Sequence, residues 1–322
     1  MAGIAEVPKP NPSNLNAIGD FIELECLRRA DKNVSALDIT RIMEREAEQM
    51  SQDAVMVYVR DSIKDLEARI SNIGNRGAIY PFQIDSTGGL IEYRMDVEDS
   101  DRMIYLFMVL CTRMNMKNDR KHATHDAAVL FEQLCREVCV RLWGGNSDDR
   151  VKAIVFGTGR LVEGSNDHDL LDKGTFSEAV NKLCKDLREG VGFDAKSKGP
   201  ITAKDGKLDV VVWRSFADER NGQLIGFGQC KTGTNWEADL MKLRPDDFFS
   251  KWARQHPTVL PTRLYFVTDR VIERWYDRSR DGGVLLDRCR IMEYCVDLPP
   301  LLMENISAWV VAAAKKHGLQ IV

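Results

Sequence analysis

Lys204-Asp205-Gly206-Lys207-Leu208-Asp209-Val210-Val211-Val212-Trp213, followed after a turn by Gly228-Gln229-Cys230-Lys231-Thr232-Gly233, is the passage on which the reading of this chain turns. The valine run makes 207–214 a β-strand, because β-branched side chains suit a pleated, half-buried surface. Asn221-Gly222 is a turn signal, and 223–231 reads as the second strand of an antiparallel hairpin. Residues two apart in a strand share a face, so Gln229 and Lys231 point one way and Cys230 points into the opposite layer. The hairpin brings Asp209 beside the Gln229 face, and a carboxylate, an amide oxygen and an ammonium converge.

Those groups suit phosphodiester hydrolysis. Mg²⁺ or Mn²⁺ prefers oxygen ligands, so Asp209, Gln229 and the Cys230 carbonyl are the expected metal ligands. Lys231 would orient or help deprotonate the attacking water and offset charge on the scissile phosphate. Asp209, Gln229 and Lys231 are thus the expected catalytic centre, with no His or Cys side chain required.

Leu208-Asp209 followed by Gln229-Cys230-Lys231 resembles the PD-(D/E)XK nuclease superfamily, in the QxK form of Mrr-like restriction endonucleases. In those enzymes a Gly-Asp-Gly-Gly-Ile-Asp-like stretch precedes Gln-Cys-Lys, and Lys204 to Asp209 stands in its place. The resemblance spans residues 126–270. It departs at Leu208, where the family has Pro, and at Gln229, where many members have an acid; the lost charge weakens metal binding. The resemblance implies an α/β, restriction-endonuclease-like mixed sheet flanked by helices. It also implies a magnesium-dependent endonuclease acting on DNA in restriction or anti-phage defence. RNA or structured DNA as substrate, and a catalytically decayed binding module, are the alternatives.

The family also draws an additional acid from its first helix. Glu132 borders the apolar stripe Phe131, Leu134, Val138 and Leu142, and Phe131-Glu132 is similar to the Phe-Glu of Mrr-like enzymes. Glu178 is the other candidate, although Thr175-Phe176-Ser177-Glu178 also matches a helix capping box. Glu132 is ranked first. Beyond the second strand, Thr232, Asn235, Trp236 and Lys242 are candidate nucleic-acid contacts through hydroxyl, amide, indole and ammonium groups. The competing expectation is that Asn235 caps the next helix and Trp236 packs into it.

Away from this centre, helical apolar spacing runs through 14–75, a hairpin with a turn at Ser86-Thr87-Gly88-Gly89 follows, and another buried helix covers 103–114. A mainly helical domain is therefore expected over 1–124 and the nuclease domain over 125–322. The second part alternates helices at 126–143, 175–190 and 237–254 with strands at 151–156 and 263–268. The N-terminal domain would serve as a sensor, a homo-oligomerisation module, a DNA-binding arm or a contact for a partner protein.

With 322 residues, 44% of them hydrophobic, the chain can bury substantial cores. A net charge of −4 confines any DNA-binding surface to a local basic patch. No apolar run reaches membrane-spanning length and Met1 to Asn16 lacks a signal-peptide core, which points to a soluble, cytoplasmic protein with no membrane contact. The eight cysteines form no CxxC knuckle and sit in apolar segments, as reduced buried thiols do. Gly157-Thr158-Gly159-Arg160 lacks the rest of a nucleotide loop, and His122-x-x-His125 lacks zinc partners and reads as a surface pair. The arginines of 270–290 read as surface ion pairs.

Overall fold

A computed structural model describes residues 8–11, 14–45, 50–145, 148–156, 175–196 and 207–321. Helix α1 (Leu15–Arg28) begins where the Asn14 side chain accepts a hydrogen bond from the Ala17 amide, satisfying one orphan donor of the first turn. It is followed by β1 (Asn33–Ser35), α2 (Ala36–Glu44) and α3 (Gln52–Asn72). Strands β2 (Phe82–Ile84) and β3 (Leu90–Tyr93) form the expected hairpin, closed by Asp85 accepting from the Gly89 and Leu90 amides. β3 also pairs with β1, so the helical N-terminal region carries a three-stranded sheet that the apolar spacing did not reveal. Then come α4 (Asp99–Arg113) and the short pair β4 (Lys121–His122) and β5 (His125–Asp126).

The second part is mixed α/β, as expected. Asp126 caps α5 (Ala127–Leu142), and β6 (Val151–Val155), α6 (Phe176–Leu187), β7 (Val210–Arg214) and β8 (Leu224–Lys231) follow. α7 (Pro245–Trp252), β9 (Thr262–Val267), α8 (Trp275–Gly282), β10 (Val284–Leu286), α9 (Arg288–Glu293) and α10 (Pro300–Lys316) complete the order. The sheet runs β10-β9-β8-β7-β6, with β7 antiparallel to both its neighbours β6 and β8, and with β8, β9 and β10 parallel. One edge of the sheet therefore gathers the carboxyl ends of β6, β8, β9 and β10 and the start of β7. Open α/β sheets bind ligands outside such carboxyl ends.

Alternation decides what covers each face. Val210 and Val212 pack with Leu130, Leu134 and Val138 of α5, while Val211, Trp213 and Phe227 pack with Val180, Leu183, Phe249 and Trp252 of α6 and α7. Gly226 permits the close approach on the α5 side, since a Cβ there would lie 2.8 Å from Val212 Cγ1 and 2.9 Å from Trp143 Cζ2. Two local expectations are corrected. The helix expected over 237–254 is a 3-10 turn, Asn235–Asp239, and then α7, because Pro245 lacks an N–H and sits at a helix start. Asn221-Gly222 closes a longer loop, 215–223, in which the Gly222 amide donates to Glu189 at 2.8 Å.

Packing does not part at 124/125. One core joins Ile18, Leu24 and Phe107 to Leu134, Val210, Phe266, Trp309 and Ile321. The Phe107 and Trp309 rings meet edge to face at 5.2 Å, joining α4 to α10. The Gln320 amide donates to the Leu27 carbonyl at 2.6 Å.

A buried ionic network crosses the same line. Asp20, at 0% exposure, accepts from Arg288 at 2.8 Å on both oxygens, from Arg69 at 2.8 Å and from Arg113 at 2.7 Å. Arg113 reaches on to Asp269 at 2.9 Å, and Arg270 links Asp65 at 3.2 Å to Asp287 at 2.8 Å. Arg270 and Arg288, expected as surface ion pairs, are buried, because helices early in the chain bring Asp65 to Arg270 and Asp20 to Arg288. Gly19 makes the room: a Cβ there would lie 2.6 Å from Arg69 Nη2. Burial pushes the Asp20 carboxyl up, but Arg288, Arg113 and Arg69 outweigh it and hold the group well below the usual range. Burial wins at Glu23, which takes hydroxyl hydrogen bonds from Tyr80 and Tyr105 at 2.7 Å each and sits above the usual range. Among the described residues no helix is long and apolar enough to cross a membrane.

Candidate active site

Asp209 lies one residue before β7, and the pairing of Val210 with Gly228 brings it opposite Gln229. It is pinned on both sides: its amide donates to the Gly228 carbonyl at 2.9 Å and its carbonyl accepts from the Phe156 amide at 2.8 Å. Its carboxylate Oδ2 accepts from the Cys230 amide at 2.8 Å. Cross-strand neighbours put their side chains on one face, so Asp209 and Gln229 share the face along which Lys231 follows.

Gln229 has no exposed surface, and neither its Oε1 nor its Nε2 has a hydrogen-bond partner among the described residues. A buried polar group left so destabilises by roughly 1–3 kcal/mol, and native chains seldom keep one without a use. Lys231 ends β8 on the same face, with Nζ 2.5 Å from Asp239 Oδ2, and the other Asp239 oxygen takes Lys242. Burial pushes the Asp239 carboxyl up, but hydrogen bonds from Lys231 and Lys242 leave it below the usual range. Tyr265, opposite Gln229 on β9, donates its hydroxyl to the Trp236 carbonyl at 2.7 Å. Burial, with Asp239 and Asp209 adding to it, raises that phenol.

Cys230 faces α5, as the alternation requires, and Cys135 donates its thiol to it. Burial pushes the Cys230 thiol up to about 11, so it is no nucleophile near neutral pH. Glu132 is 6% exposed on α5, close enough to Cys230 to act on its charge. It therefore approaches from the α5 side of β8, across the strand from Gln229 and Lys231. Glu178 is exposed and engaged elsewhere: Thr175 and Glu178 form the complete capping box of α6, and the Thr175 amide and hydroxyl hold the Glu178 carboxyl below its usual range.

Of the expected nucleic-acid contacts, Thr232 is half-buried, and Asn235 and Lys242 are exposed. Trp236 is corrected: at 3% exposure it packs with Leu240, Tyr265 and Val267, and its indole donates to Asp269 at 3.1 Å, so it offers no ring for base stacking. Asn235 is not the cap either: it is the first residue of the 3-10 turn, whose N-cap position is Thr234, without a side-chain capping bond. The histidine pair is corrected too: the His122 ring meets Trp309 at 5.2 Å, and Asp119, paired with His317 at 3.1 Å, lies 3.4 Å from His122. Lys204, Asp205, Gly206 and the 157–160 loop lie outside the described residues.

Among the described residues no three His, Cys, Asp or Glu side chains gather as a metal group. An Mg²⁺ or Mn²⁺ would instead take the Asp209 carboxylate, the orphaned Gln229 oxygen and the Cys230 carbonyl. These are hard donors, and they fit such an ion with a single formal charge. The sequence reading missed Asp239 and Tyr265. Tyr265 was legible as a strand residue but not as a neighbour, and Asp239 lies in a segment expected to be helical, where nothing marks it as the partner of Lys231. Compared with family models, curated proteins and solved structures, the chain matches none.

Proposed function

We propose that this chain is a divalent-metal-dependent nuclease of the PD-(D/E)XK type, in its QxK form, that hydrolyses DNA phosphodiester bonds on a restriction-endonuclease-like core. The observation that carries the reading is Gln229: a fully buried amide with both polar atoms unpartnered among the described residues, opposite Asp209 and two residues from Lys231. Such a group is explained if its oxygen meets a metal ion or water when the site is loaded.

The bound metal would supply an activated water and polarise the phosphate. Asp209, held by the Cys230 amide, fixes the carboxylate at the sheet edge. Lys231 presents an ammonium to the phosphate on the same face. Glu132 supports the site from the α5 side, and Thr232, Asn235 and Lys242 flank the path of the strand. The neutral Gln229 makes metal binding weak until phosphate adds its own charge. By the same resemblance the setting is restriction or anti-phage defence, with the N-terminal part contacting a partner protein or a second copy of the chain.

Gln229, neutral where many members of the resembled family have an acid, favours a second reading, a decayed nucleic-acid- or protein-binding module. Supercoiled-plasmid nicking with Mg²⁺, Mn²⁺ or EDTA separates the two, with RNA and branched DNA as parallel substrates. Nicking that needs metal, and that Asp209→Ala and Lys231→Ala each abolish with unchanged circular dichroism, supports the nuclease. Binding without cleavage by wild type in every arm overturns it.

A further inference from the structure

Lys231 is held in place. β8 ends there, Gly233 turns the chain with φ +81°, and the 3-10 turn Asn235–Asp239 folds back over β8 and β9. That turn is anchored twice, by the Trp236 indole on Asp269 at 3.1 Å and by the Tyr265 hydroxyl on the Trp236 carbonyl at 2.7 Å. Asp239 thus stands on fixed backbone, and its Oδ2 meets Lys231 Nζ at 2.5 Å. A lysine side chain has many rotamers, and a fixed charge-assisted partner selects one of them. Lys242, three residues on, binds the second Asp239 oxygen. One carboxylate shared by two ammonium groups leaves this cluster with one positive charge in excess, whereas a lone Lys231–Asp239 pair would be neutral.

We infer that Asp239 is a positioning residue: with Lys242 it fixes the Lys231 ammonium on the face shared with Asp209 and Gln229, ready for an anionic substrate. The task assigned to Lys231 rests on the nuclease reading above; the positioning itself does not, and can be measured without substrate. Removing the charge of Asp239 frees the Lys231 chain, which misplaces a group needed in the reaction more than it weakens binding spread along a nucleic acid.

The test pairs two measurements on wild type, Asp239→Asn and Asp239→Glu. The first is the rate at which an amine-reactive reagent labels Lys231, read by mass spectrometry against the exposed Lys64 in the same molecule. The second is metal-dependent plasmid cleavage resolved into kcat and KM. Asp239→Asn is expected to label Lys231 several-fold faster than wild type, relative to Lys64, and to lower kcat about 10- to 100-fold with KM little changed. Asp239→Glu is expected to restore much of both. Unchanged Lys231 labelling in a folded Asp239→Asn protein overturns the inference whatever the activity shows, and so does an unchanged kcat in an active enzyme. Wild type that cleaves nothing sinks the nuclease reading alone, because the labelling ratio still decides for or against Asp239.

Discussion

Replacing Asp20 with Ala would strip the centre from the buried ionic network. Four guanidinium hydrogen bonds between 2.7 and 2.8 Å end on this one carboxylate, and Asp20 and Arg288 are each essentially inaccessible to solvent. Removing one partner of a buried ion pair leaves the other charged and desolvated, which destabilises by about 3–5 kcal/mol. Whole proteins are stable by only about 5–15 kcal/mol. With a urea slope near 3 kcal/mol/M, the unfolding midpoint followed by tryptophan fluorescence should fall by about 1–2 M. The Asp61–Lys64 pair is a control at 2.8 Å on the exposed face of α3, and its loss should barely move the midpoint.

The pH dependence fixes the cause. The folded-state pKa of Asp20 lies well below its ordinary value of 3.8, so its stabilisation is complete above the unfolded value and disappears as pH falls through the folded one. The gap between wild type and Asp20→Asn should therefore stay constant from about pH 5 upward and close only in strong acid. A midpoint shift below about 0.3 M, or a gap already closing between about pH 5 and 7, would refute the assignment of an ionised, arginine-clamped Asp20.

Two further substitutions probe the candidate site. Gln229→Glu places a carboxylate where there is no exposed surface, so the metal-free protein should lose roughly 1–3 kcal/mol. Mg²⁺ or Mn²⁺ should recover that loss in a thermal-shift assay, and the metal concentration for half-maximal cleavage should fall; equal destabilisation with and without metal would count against a metal at this face. Glu178→Ala breaks the capping box of α6 and should lower Tm while leaving plasmid cleavage intact, whereas loss of cleavage would return Glu178 to the catalytic set.

Local patterns were legible where local chemistry decides. The Val210-Val211-Val212 run became β7, Asp85 and the 86–89 turn closed a hairpin, and Thr175 with Glu178 capped α6. The register that brings Asp209 opposite Gln229 is set by the longer 215–223 loop and was not legible, because a two-residue turn at Asn221-Gly222 would have placed Asp209 on the Cys230 face. What escaped depends on distant partners. Arg288 reads as one more surface arginine until Asp20, 268 residues earlier, receives it. Trp236 carries the same indole whether it stacks on a base or packs under Tyr265, and only the fold chooses. Asp239 resembles any helix-face acid until the 3-10 turn lays it on Lys231. Pro245 marks the break between that turn and α7 in the sequence itself, because its missing N–H suits a helix start and not a helix interior.

The backbone bond from Gln320 to Leu27, together with Leu319 and Ile321 closing over the first helix, has a bearing on biosynthesis. A ribosome adding about 5–20 residues per second releases α1 roughly 15 to 60 s before Gln320 emerges. During that interval Asp20 and Glu23 can meet Arg69, Arg113, Tyr80 and Tyr105, but Arg288 and the last layer of apolar side chains have not yet been made. The nascent chain thus holds a hydrophobic helix that its N-terminal neighbours cover only in part, which makes it a natural client for chaperones, and the core is closed only after translation has passed the final turn of α10.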